Sequence, residues 1–137
     1  MENELDYIGQ VKSSDDVAKI AESLGYGNFA EEVVGMFCMN AVGMVIGYHE
    51  ISHGDLTSSQ THPREIFKRA IINNASSVII VHNHPSGSTN PSEEDKQTTE
   101  RLKHAGELLG IPVIDHLIIA GGGKGYCSMK ANGMLGV

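Results

Sequence analysis

The sequence predicts an α/β domain built on a mixed sheet, and three observations carry that expectation. Short β-branched apolar runs, such as Ser77-Val78-Ile79-Ile80-Val81, alternate with longer stretches whose apolar residues recur at helical spacing. Gly, Pro, Asn and Ser clusters punctuate these runs. The 137 residues suit one domain with a real core, with no repeat or low-complexity stretch to divide them. In order, Ser13-Ser14-Asp15-Asp16 reads as a helix start, leading into Val17, Ile20, Ala21 and Leu24, with Gly25 and Gly27 to end it. Residues 32–39 and 44–53 read as strands joined by a turn at 40–43. Pro63 at a first helical position opens a helix to about residue 74. A buried strand over 77–82 follows, then a loop, then a helix from Ser92 to about Leu109 closed by Gly110. Residues 113–119 form another buried strand, and the glycines of 121–125 turn into a short last one over 126–129.

Composition narrows the function classes. The formal net charge is −7, there is no Trp, and only 5% of residues are aromatic. Such a chain offers neither a phosphate-neutralising surface nor stacking platforms, so strong nucleic-acid binding is not expected. Arg64, Lys68 and Arg69 cluster on one segment and read as a solvated helix face. The start, Met1-Glu2-Asn3-Glu4, lacks the basic and apolar regions of a secretory signal, and no apolar run reaches membrane-spanning length. Cys38 and Cys127 have no CxxC partner, and Cys38 falls in a strand-like run where a buried thiol is the default. A cytoplasmic location is the expectation.

The stretch richest in chemistry is His82-Asn83-His84-Pro85, followed by Ser92-Glu93-Glu94-Asp95. Residues i and i+2 of an extended backbone project to the same side, their attachment points about 6.6 Å apart, so two imidazoles can lean onto one ion. Asp95 arrives in the opening turn of the next helix. Two neutral imidazoles and a carboxylate make the three-ligand set of an open zinc site whose fourth position is left for water. A structural reading competes. Ser92-x-x-Asp95 is also a capping-box-like pattern, and a His-x-His at a strand end is often a surface accident.

The full pattern HxHPx₆SxxD resembles the JAMM signature of the JAB/MPN metalloprotease superfamily. The more particular HNHPSG, with Pro63-Arg64-Glu65 upstream and LGIPVIDHLII over 109–119, is similar to the RadC family of bacterial proteins. The resemblance runs from about Phe29 to the C-terminus. It implies a three-layer JAB/MPN domain over 29–137, a mixed β-sheet flanked by helices in a cytidine-deaminase-like architecture, after a helical lead-in over 1–28. It implies Zn²⁺ held by His82, His84 and Asp95, and a general base at the head of the first core strand, which is Glu32. Glu31 is the rival, on the opposite face of a strand, and Glu50 lies in the second strand. Ser92 is expected to donate to the developing oxyanion, to cap the helix, or both. Asp115-His116 matches a pair typical of RadC relatives, with His116 expected in a supporting or core role. The implied activity is zinc-dependent cleavage of a peptide or isopeptide amide in a protein or peptide substrate. The alternative is a non-enzymatic RadC-like module of DNA repair or mobile elements. RadC-like proteins usually carry a helix-hairpin-helix-like region ahead of this domain, and that region is expected to be missing here.

Two further patterns are read as coincidence. His49-Glu50-Ile51-Ser52-His53 spells HExxH, a zinc motif only on a helix, where the two rings stack one turn apart. Its Gly- and β-branched-rich flanks predict a strand, which sets the histidines about 13 Å apart. The glycine run lacks the GK[ST] ending and following helix of a phosphate loop and is expected to be a flexible hairpin turn. The PCxxC of zinc deaminases is absent.

Overall fold

A computed structural model describes residues 10–54 and 61–135. The elements are α1 (Ser14–Ser23), β1 (Val33–Met39), β2 (Val45–His53), α2 (Pro63–Ile72), β3 (Ser77–His84), α3 (Glu93–Leu109), β4 (Val113–Ala120) and β5 (Tyr126–Ser128). The five strands form one mixed sheet in the order β2-β1-β3-β4-β5. All neighbouring pairs are antiparallel except β3 and β4, which run parallel with α3 as their crossover. The expected α/β class and mixed sheet are present. The Met1–Glu4 start, and residues 1–9 of the expected lead-in, lie outside the described residues.

Strand alternation divides the core between the two faces of the sheet. Val33, Phe37, Ile79, Val81, Leu117 and Ile119 pack with Val17, Ile20 and Ala21 of α1. Val34, Met36, Val78 and Ile80 face the other way, against Ile66, Phe67 and Ala70 of α2 and Leu102 of α3. Helix, sheet and helix pair therefore make three layers. β1 is buried on both faces, whereas β2 at the sheet edge mixes buried and exposed positions. Cys38 lies in the core, and burial pushes its thiol up to about 11.

One expectation shifts in detail. β3 runs past residue 82 to His84, because its parallel ladder with β4 continues through His84↔Ala120. Both histidines thus stand on regular strand. Arg64 and Lys68 are exposed on α2, as expected of a solvated helix face, and Glu65 lies 2.9 Å from Lys68 and 3.6 Å from each arginine. The glycine run is the turn of an antiparallel hairpin, with a 3₁₀ turn over Gly121–Gly123 joining β4 to β5. Among the described residues, no helix is long and apolar enough to cross a membrane.

Candidate metal centre

The loop between β3 and α3 is held at both ends. Ser92 caps α3 with extended backbone, its hydroxyl accepting from the Asp95 backbone N–H at 3.0 Å. Asp95 Oδ2 accepts from the Ser92 N–H at 2.9 Å, completing a capping box. The same local pattern that starts the helix therefore holds the Asp95 carboxylate against β3. The two readings of Ser92-x-x-Asp95 are compatible: capping uses a hydroxyl lone pair and leaves the Ser92 proton available.

His82, His84 and Asp95 each bring one donor atom into a group spanning no more than 4.8 Å. The tightest triangle joins Nε2 of His82, Nε2 of His84 and Oδ2 of Asp95, with sides of 3.0, 3.3 and 3.6 Å. Zinc binds nitrogen and oxygen at about 2.0–2.1 Å with tetrahedral angles, which sets neighbouring ligand atoms about 3.3 Å apart. The donor set fits a cation of that kind. His84 Nδ1–H donates to the Ser88 carbonyl at 3.2 Å, which leaves its Nε2 as the donor atom facing the cluster. Asp95 raises the His84 pKa by hydrogen bonding, against the opposing effect of burial. Burial acts to raise the Asp95 pKa, but His82 and His84 outweigh it and hold the carboxyl well below the usual carboxylate range.

Glu32 immediately precedes β1, and its Oε1 lies 4.0 Å from His84 Nε2. The antiparallel pairing Val34↔His82 places residue 32 across from residue 84, on the face that carries both histidines. Glu31 is exposed. Glu50 is exposed on β2 and bonded to His53 at 2.8 Å, away from this cluster. The HExxH stretch is a strand, with His49 turned to Asn73 at 2.6 Å.

Three residues around the centre carry more than the sequence pattern assigns them. Asn83, wholly buried between the two histidines, accepts the Val33 N–H at 2.7 Å and donates to the Glu31 carbonyl at 2.9 Å. Its side chain thus clamps the backbone on both sides of Glu32. His116 is wholly buried on β4 with its Nε2 2.7 Å from His82 Nδ1. Burial lowers its pKa well below the ordinary value and keeps the ring neutral. Thr99, one turn along α3 from Asp95, reaches His116 Nδ1 at 2.7 Å. Asp115 is tied to Ser128 at 2.7 Å and to the His116 and Lys130 N–H groups, fixing the start of β4 against β5. Asn83 lies inside the motif and Thr99 sits four residues past Asp95, but neither spacing signals a contact that only packing creates.

A three-layer α/β domain with a His/His/Asp cluster at a strand-loop-helix junction belongs to the JAB/MPN class. The sequence model of the RadC-like JAB domain matches residues 11–134, and the chain belongs to that family. It is 42% identical over 126 residues to a UPF0758 protein of Thermotoga maritima, covering 92% of this chain and 55% of that protein. A UPF0758 protein of Syntrophomonas wolfei is 41% identical over 128 residues, covering 91% of this chain and 54% of the relative. The chain spans about half the length of these relatives.

Proposed function

We propose that this domain is a zinc-dependent hydrolase of the JAMM type that cleaves a peptide or isopeptide amide. The observation that carries the reading is the placing of Glu32 4.0 Å from His84, beside the three-donor triangle. A structural metal site has no use for a free carboxylate there. His82, His84 and Asp95 would hold the ion, which when bound supplies Lewis-acid polarisation of a water and a scissile carbonyl. Glu32 takes the proton of the attacking water on a carboxylate oxygen and returns it to the leaving amine nitrogen. Asn83 keeps Glu32 facing the cluster through its two backbone bonds. The Ser92 hydroxyl, its lone pair engaged in the cap, retains a proton to donate to the carbonyl oxygen as negative charge develops there.

Elemental analysis of the purified protein beside a His82→Ala/His84→Ala variant tests the first half. About one zinc per chain in wild type and none in the variant is expected. Wild type that fails to take up zinc would sink the reading. The second half is tested by hydrolysis of peptide and isopeptide libraries, with Glu32→Gln as control. Zinc uptake without turnover on any amide would favour a metal-bearing, non-enzymatic module.

A further inference from the structure

We propose that Thr99 and His116 form a hydrogen-bond relay that fixes His82 in its Nδ1-protonated tautomer, turning a bare Nε2 toward the metal position. The inference rests on the metal reading above and adds two positioning residues to it. The argument is one of counting protons. Thr99 Oγ1 lies 2.7 Å from the Asp95 carbonyl oxygen and 2.7 Å from His116 Nδ1. A carbonyl only accepts, so the single hydroxyl proton goes to it and the hydroxyl oxygen accepts from His116 Nδ1–H. The Met129 sulfur, 3.8 Å from the same hydroxyl, is a weak acceptor and does not compete with the carbonyl. The neutral His116 ring has one proton, now committed, so its Nε2 accepts from His82 Nδ1–H across 2.7 Å. His82 Nε2 is left with a lone pair facing His84 Nε2 at 3.0 Å and Asp95 Oδ2 at 3.6 Å.

The reverse order of protons fails on two counts. Thr99 would donate to His116 Nδ1 and give up the carbonyl, and His116 Nε2–H would donate to His82 Nδ1. His82 would then carry its proton on Nε2, in the space a cation needs. The relay is also closed: it begins at the backbone of Asp95 and ends at the ring beside the Asp95 carboxylate. It ties β3, β4 and α3 into one unit, so the donors on β3 and α3 keep one spacing. Second partners of this kind orient metal-binding histidines in general.

Nitrogen-15 NMR of the histidine rings in chelator-treated protein reads the tautomers with no metal or substrate present. Expected are Nδ1-protonated His82 and His116; a His82 ring protonated on Nε2 and bare at Nδ1 would overturn the relay. Zinc affinity, measured by competition with a chromophoric chelator, gives the second readout. Thr99→Val removes the hydroxyl with little change of shape and is expected to weaken zinc about 10- to 100-fold, with Thr99→Ser restoring it. A Thr99→Val protein that folds and binds zinc as tightly as wild type would also overturn the proposal. Wild type that shows the expected tautomers but takes up no zinc would leave the relay standing and remove the metal reading.

Discussion

Glu32 and Asp95 are both carboxylates within 4.0 Å of the same His84 nitrogen, yet their surroundings give them different work. Asp95 is 6% exposed, accepts a backbone N–H and sits against two imidazoles, as a ligand does. The Glu32 side chain is 33% exposed and has no backbone partner among the described bonds, as suits a group that exchanges protons. Asp95→Asn is therefore expected to weaken zinc binding, read by chelator competition, because a charged ligand is lost. Glu32→Gln is expected to keep zinc and fold while turnover drops at least about 100-fold on any amide substrate. Equal turnover in that variant would remove Glu32 as the base. The histidines also set a pH profile for the chelator-treated protein. His116, facing His82, His84 and Asp95, stays neutral when folded but takes up a proton below about pH 6.5 when unfolded. Stability is thus lost on acidification below that value, with a slope of up to about 1.4 kcal/mol per pH unit. His84, facing Asp95, Glu32 and His82, has a raised folded pKa, so its contribution is present below pH 6.5 and lost as pH climbs through the raised value. Thermal melts between pH 5 and 8 should peak near pH 6.5. Melting temperatures that climb steadily to pH 8 would contradict the His84 assignment, and ones that do not fall below pH 6.5 would contradict that of His116.

At the scale of elements, the loop from β3 to α3 does most of the positioning. Ser92→Ala is expected to cost about 1 kcal/mol of stability by chemical denaturation. The same change frees the Asp95 backbone N–H but keeps the Ser92 backbone N–H that holds the Asp95 carboxylate, so zinc affinity should change little. β2 shows why a motif has meaning only on the right element. On a strand, His49 and His53 turn to Asn73 and Glu50, and alanine at either position should leave zinc stoichiometry unchanged. β1 depends on Gly35, where a Cβ would stand 2.1 Å from the Tyr26 hydroxyl and 2.8 Å from Tyr48 Cε1. Those two tyrosines are hydrogen-bonded to each other beneath the strand. Gly35→Ala must displace them and should destabilise by about 1–3 kcal/mol, with a lower midpoint in denaturant. The element boundaries were largely legible because apolar period, Pro63 and Gly110 are local signals. The extension of β3 to His84 was not, since a strand lasts as long as its neighbour keeps pairing.

For the molecule as a whole, the sheet order brings the start of β1 beside the end of β3 and fills the remaining faces with helices. Net charge is −7, and the basic residues Lys68 and Arg69 are partly neutralised by Glu65. Binding of this chain to duplex or single-stranded DNA is expected to be weaker than micromolar at physiological salt and to fade steeply with added salt. Submicromolar affinity in a salt titration would favour a nucleic-acid role over hydrolysis.

The sequence by itself singled out His82, His84 and Asp95 through the JAMM-like pattern, with period two and a capping box as local geometry that agrees with a shared metal without requiring it. It also distinguished Glu32 from Glu31 as residues on opposite faces of a strand. Only tertiary structure decided that Glu32 stands at the cluster, since that follows from the antiparallel register of β1 on β3 and the Asn83 clamp. Only tertiary structure joined Thr99 and His116 to His82, across three elements distant in the chain. The physical reason is one of range. Backbone period and capping act over a few residues, whereas strand register and buried hydrogen bonds are chosen by the core that forms around them.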